Sequence, residues 1–395
     1  MGTYRRLMIS AVLILLLGGC TTPQPGASEP PSSESTSSPE TPPTARKIRF
    51  REGWSDLADP PDGRSLAATA WTGRQLLVWS GYIYTGFSNE RPIDGGYAFS
   101  PKTGAREDLP PAPLEPRVGA ATAWTGKELL VWGGHNLVDW GPESLFDDGA
   151  AYDPSSGKWR ELPDAPISAR APLWAWTGKQ LLVVGTALRV KGVGMEGAAY
   201  SPSSDKWKTI PEAPVRLTDA TAVWTGDELV IFGAALHGGN RARTPFAIGA
   251  AYDPKRNRWR KLPDSHLSPQ ASTAAWNGRE MIAWDYGNRS QAYDPRSNSW
   301  RDLPRVPLDS GECTPESVSV GSVIVGDYCG YLVTFYEGQW RREESSGPTK
   351  YMENLIDRRK SFSGPILISA GDVVLVVVGR QKKDEWLMFS YRPKA

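Results

Sequence analysis

The stretch that decides the fold is Gly149–Pro163, "GAAYDPSSGKWRELP", because it returns as Gly249–Pro263, "GAAYDPKRNRWRKLP". The two copies differ mainly between the proline and the tryptophan. Asp153 can bond the backbone of its own turn and Pro154 pre-sets φ, so the phrase reads as a tight hairpin. Its aromatic position recurs as Phe99, Tyr152, Tyr200, Tyr252 and Tyr293, and in four copies a tryptophan follows seven residues later: Trp159, Trp207, Trp259 and Trp300. The first copy has Arg106 there.

A second phrase alternates with the first. "AWTGRQLLVWSG" starts at Ala70, and its relatives start at Ala123, Ala175, Val223 and Ala275. Apolar runs flank "TGKE"-type turns whose glycine supplies positive φ, which again predicts a hairpin. Two hairpins make a unit of roughly fifty residues with four short antiparallel strands, too small to stand alone. The recurring tryptophans and "LP" leucines then serve blade-to-blade packing.

The glycine pair Gly133-Gly134, the aromatic at Tyr152 and Trp159 resemble the signature of kelch repeats, of the β-propeller class. Two degenerate units follow the five clear ones, at Ser317–Gly330 and Leu367–Arg380. The last stops at "YRPKA" without a tryptophan strand, while "FREGWSDLADPP" supplies a spare one, with Trp54, at the other end. The expected fold is therefore all-β, a seven-bladed kelch-type propeller whose last blade is closed by the N-terminal strand. Six blades is the alternative, if the degenerate region forms only one. Centred on Gly321, the sixth unit's hairpin sets Cys313 opposite Cys329, which predicts a disulfide in an exported protein.

Outside residues 48–395 the chain is different. Arg5 and Arg6 precede the apolar run Leu7–Leu17 and "LGGC", which resembles a lipoprotein signal, with residues 1–20 forming the signal peptide and Cys20 taking the lipid. Residues 21–47 are rich in Pro, Ser and Thr and read as a disordered tether. This implies attachment to the extracytoplasmic side of a membrane. A formal net charge of +1 without long basic runs disfavours a nucleic-acid partner. The expected state is a monomer.

Comparing the copies with one another locates a candidate site. One rim carries short, repeated turns. The other carries long, dissimilar loops, 82–94, 135–148, 187–196 and 236–248, and variable loops on a repeated scaffold are where binding residues are placed. Arg64, Arg117, Arg170 and Arg216 precede the innermost strands and suggest an anion-binding ring around the channel, joined by Arg189 and Arg241. The competing reading is that each arginine braces its own blade. Tyr82, Tyr84 and Trp140 offer stacking surfaces, or fold back as loop cores. His135, Glu196 and His237 complete the candidate ligand-binding set.

Kelch-like propellers include copper-radical oxidases and a sialic acid mutarotase, so the resemblance admits an enzyme. Three histidines and two mature cysteines fit a copper centre poorly, and no metal or cofactor is expected. Two functions remain. One is a lipid-anchored binding module for a protein or glycan, anionic ligands included. The other is a carbohydrate-active enzyme of the mutarotase or epimerase kind, with Glu196, Glu143 or His135 as acid or base.

Overall fold

The computed structural model describes residues 50–83, 91–137, 144–167, 169, 172–185, 195–237, 240–241, 244–269, 272–308, 315–328, 331–343, 366–379 and 386–393, without the side chains of 237, 240 and 241. Seven antiparallel sheets stand in a ring, each built on a four-stranded path. The innermost strands are Ala68–Trp71, Ala121–Trp124, Leu173–Trp176, Leu217–Trp224, Ser272–Trp276, Glu316–Val320 and Ile366–Ser369. Strands two to four of each blade follow outward, so the chain is a seven-bladed β-propeller.

The seventh blade joins both ends of the domain. Trp386–Arg392 pairs on one side with Val374–Gly379 and on the other with Gly53–Asp56, setting Trp54 opposite Tyr391. Their rings lie 4.8 Å apart, and the Arg392 guanidinium donates to the Phe50 carbonyl at 3.0 Å. Closure leaves the outermost strand of this blade in the place that Lys158–Glu161 takes in the second.

Seven apolar clusters form the core, one at each boundary between blades. The repeated phrase explains how they are held. Trp159, Trp207, Trp259 and Trp300 each pack on the tyrosine opposite and donate their indole N–H to the carbonyl of the proline near the end of the preceding blade's fourth strand, Pro110, Pro163, Pro211 and Pro263, at 2.7–3.0 Å. That proline follows Leu in three cases and Ile210 in the other. Each such bond contributes about 1 kcal/mol net and fixes the angle between neighbours. The tryptophan and the proline therefore recur as a pair at four of the seven boundaries, one from each side.

The variable turn does more than face solvent. Asp205, Asn257 and Asn298 take left-handed φ of 51–52° and accept the hydroxyl of the tyrosine five residues earlier. Arg160 then links Glu128 of the second blade to Tyr200 and Asp205 of the third. Arg260 links Glu228 to Tyr293 and Asn298 in the same way.

In the sixth blade the hairpin pairs Glu316 with Asp327 and Val320 with Val323. Its centre lies between Gly321 and Ser322, half a residue beyond the centre expected from the sequence. Cys313 and Cys329 lie outside the described residues, as do residues 1–49 with Cys20.

Candidate functional site

The long-loop rim and the channel mouth meet where the innermost strands begin. Position by position, the structure redraws the arginine ring. Arg64 is buried; its Nη1 donates to the carbonyls of Ser80 (3.4 Å) and Gly95 (2.9 Å), and its Nε pairs with Asp62 at 2.9 Å. Arg117 is 1% exposed. It donates to the carbonyls of Glu115 and Gly133, clamps Asp148 with two bonds of 2.6 and 3.2 Å, and lies 4.0 Å from the Phe146 ring centroid. Both guanidiniums close the gap between strands two and three of their own blade. The bracing reading holds for these two: the guanidiniums give backbone carbonyls at the end of strand two a donor inside the protein.

The other expected residues divide as follows. His135 is buried; its backbone pairs with Val118 and its Nδ1 accepts the Leu137 N–H at 3.4 Å, so it anchors its loop rather than presenting a ring. Tyr82 is half-buried and bridges to Ser65. Glu196 is half-buried beside a bulge in the third blade, opposite Gly185. Arg216 is half-buried, and its carbonyl accepts the Leu236 N–H. Tyr84, Trp140, Arg170 and Arg189 lie outside the described residues. The backbone around His237 and Arg241 forms a small hairpin, with no account of their side chains.

What lines the channel is of another kind. Trp174, on the third blade's innermost strand, is 37% exposed and donates its indole N–H to the Thr122 carbonyl of the second blade at 2.8 Å. It occupies the place that Thr69 and Thr122 hold in the first two blades and Ala222 and Ala274 in the next two. Thr69, Thr122, Thr218, Thr221, Ser317 and Ser319 are half-buried hydroxyl-bearing residues on innermost strands; Ser317 accepts the Trp284 indole N–H at 2.8 Å and Thr122 donates to the Ala120 carbonyl at 3.2 Å. Ser369 donates to the Ser319 carbonyl at 3.0 Å. Among the described residues these strands carry two carboxylates, Asp219 and Glu316, and no cationic side chain.

The mouth itself is bent. Leu66, Gly119 and Asp219, each five residues before its blade's tryptophan, share left-handed φ of 53°, 63° and 45°. Leu66 and Asp219 hold that conformation at a cost glycine avoids, and Leu66 is 55% exposed. Glu316 begins the sixth blade's innermost strand at this same rim. Glu316 is exposed to water, and the protein around it pushes its carboxyl above the usual range through partial desolvation. Folding therefore takes up a proton there. That contribution is fully present in acid, below the unfolded value, and is lost as pH rises through the folded one. Replacing Glu316 by Gln should raise the melting temperature more at neutral pH than in mild acid; equal changes at both would remove the assigned cause.

No family model matches this chain, and no curated protein matches it. A solved structure described as "Structure of YjhT" superposes with a TM-score of 0.51 at 15% sequence identity, covering 73% of this chain and 100% of that one. The likeness is one of fold alone. It carries nothing about ligand or chemistry to this chain.

Proposed function

We propose that this chain is an exported, lipid-anchored propeller of kelch type that binds a neutral, hydroxyl-rich ligand, a glycan, at the channel mouth on its long-loop rim. One observation carries the reading: the described channel wall presents hydroxyls, one exposed indole and two carboxylates, while Arg64 and Arg117 are turned inward. Hydroxyls and carboxylates accept and donate to sugar hydroxyls, and an exposed indole offers an apolar face to a sugar ring. On the described innermost strands an anionic ligand would meet Asp219 and Glu316. The export reading is supported by the Arg5-to-Cys20 stretch; absence of fatty-acid incorporation at Cys20 in cells would overturn it.

Calorimetric titration with neutral and acidic oligosaccharides tests the ligand class. Trp174→Ala should weaken neutral-glycan binding about tenfold, the worth of one aromatic contact of about 1.4 kcal/mol. Preference for the acidic series, or indifference to Trp174, would sink the reading. The enzyme alternative rests on the place of Glu316, an exposed carboxyl at the start of an innermost strand on this rim, which desolvation pushes upward in the direction that suits a general acid. Anomer exchange measured by NMR and abolished in Glu316→Gln would favour it over simple binding.

A further inference from the structure

The fifth blade and its entry break the repeat at three positions, and they lie close together. After the fourth strand the chain reads Leu109-Pro-Pro-Ala-Pro113, Leu162-Pro-Asp-Ala-Pro166, Ile210-Pro-Glu-Ala-Pro214 and Leu303-Pro-Arg-Val-Pro307. Between the fourth and fifth blades it reads Leu262-Pro-Asp-Ser-His266, so an imidazole stands where the others have proline. The third strands open with Gly96, Gly149, Gly197 and Gly249, but the fifth opens with Ser290-Gln291.

The departures are structurally built in. A Cβ placed at Gly149 or Gly249 would meet a carbonyl oxygen at 2.8 or 2.5 Å. In the fifth blade the serine is accommodated: its hydroxyl donates to the Pro304 carbonyl and accepts the Trp340 indole N–H at 3.0 Å, entering the bond made directly elsewhere. Gln291 is 3% exposed. Its Oε1 accepts the His266 N–H, which a proline would lack, at 2.9 Å, and its Nε2 donates to Asp302 Oδ1 at 2.7 Å. A buried amide thus holds two outward groups, with His266 Nδ1 3.9 Å from Asp302 Oδ1 and both side chains at least 70% exposed.

Asp264, His266, Gln291, Trp300, Arg301 and Asp302 line a cleft of about 410 Å³ along the outer strand of this blade. It lies three strand spacings, about 14 Å, outward from the channel wall. Arg301 is bound by Glu280 through two bonds of 2.9 and 2.7 Å, so its charge is already answered, while Asp264 and Asp302 oppose an anion. Donors on Arg301 and His266 alternate with acceptors on the carboxylates, the pattern that hydroxyl groups satisfy because each both gives and takes a hydrogen bond. The volume suits a ligand of one or two sugar rings. We propose that this lateral cleft is a second binding site, for a neutral saccharide unit, independent of the channel.

Saturation-transfer NMR on the intact chain tests it, with the methyl glycosides of glucose, galactose, mannose and N-acetylglucosamine as probes and choline and glucuronate as charged controls. At least one neutral glycoside should bind. The double variant His266→Pro with Gln291→Ala rewrites the cleft to the sequence of its sister blades, so it should keep or raise the melting temperature while weakening binding at least tenfold. Asp302→Asn, at an exposed position, should weaken binding severalfold and carries the test if the double variant does not fold. Trp174→Ala should leave this binding intact, and its loss of channel binding alone would separate the two sites. Absence of neutral-glycoside binding, a preference for choline or glucuronate, or wild-type affinity in both cleft variants would overturn the proposal.

Discussion

A chain shortened to begin at Asp59 will not keep a closed ring. The truncation removes Gly53–Asp56, whose four residues pair in register with Arg392 to Phe389, and the Leu57 N–H that donates to Met388. It also removes Phe50, buried against Trp71 with ring centroids 6.0 Å apart, and the Trp54–Tyr391 contact. Losing several ladder bonds at about 1 kcal/mol each and two aromatic side chains at about 2 kcal/mol each costs as much as many domains possess in total. The exposed edge of Trp386–Arg392 then offers unpaired N–H and C=O groups to other molecules. Thermal melting and size-exclusion chromatography should show a lost or much lowered transition with oligomers. A monomer that melts like the full chain would show that closure through Trp54 is unimportant.

Replacing Arg117 by Met should destabilise the protein by about 2–3 kcal/mol, because buried backbone carbonyls lose their donor while the half-exposed Asp148 carboxylate regains water. The methionine fills much of the volume but leaves the carbonyls of Glu115 and Gly133 and the carboxylate of Asp148 without their donor. Denaturant titration measures the loss. Arg106→Met is the control: that guanidinium is nearly half exposed and pairs with the exposed Asp108, where such pairs contribute at most about 1 kcal/mol. If Arg117 instead served an anion site, its replacement would change anion affinity with little effect on stability.

The doubled phrase carried the architecture because a propeller is local. Six of the seven blades are formed by contiguous residues, so Tyr152 and Trp159, or Tyr252 and Trp259, announce their own pairing, and the unpaired Tyr391 announces the seam that Trp54 fills. Side-chain direction is different in kind. Arg64 and Arg117 read equally well as ligands or braces until the carbonyls of Gly95 and Gly133 appear beside them. Trp174 was open to view, since the equivalent places hold Thr69, Thr122, Ala222 and Ala274. Its break in that pattern of small residues is the mark the sequence carries. Glu316 had no such marker, because its blade is degenerate and its level depends on a hairpin centre that sequence symmetry set half a residue off.

By itself, then, the sequence determined the seven blades, their order and their closure, since strands within a repeat pair with their neighbours in the chain and the truncated last repeat calls for the spare strand at Trp54. Tertiary structure alone decided which charges stay free to meet a ligand. That outcome depends on groups brought from neighbouring blades and distant turns, Asp148 for Arg117, Thr122 for Trp174 and Gln291 for His266, and no spacing along the chain encodes those meetings.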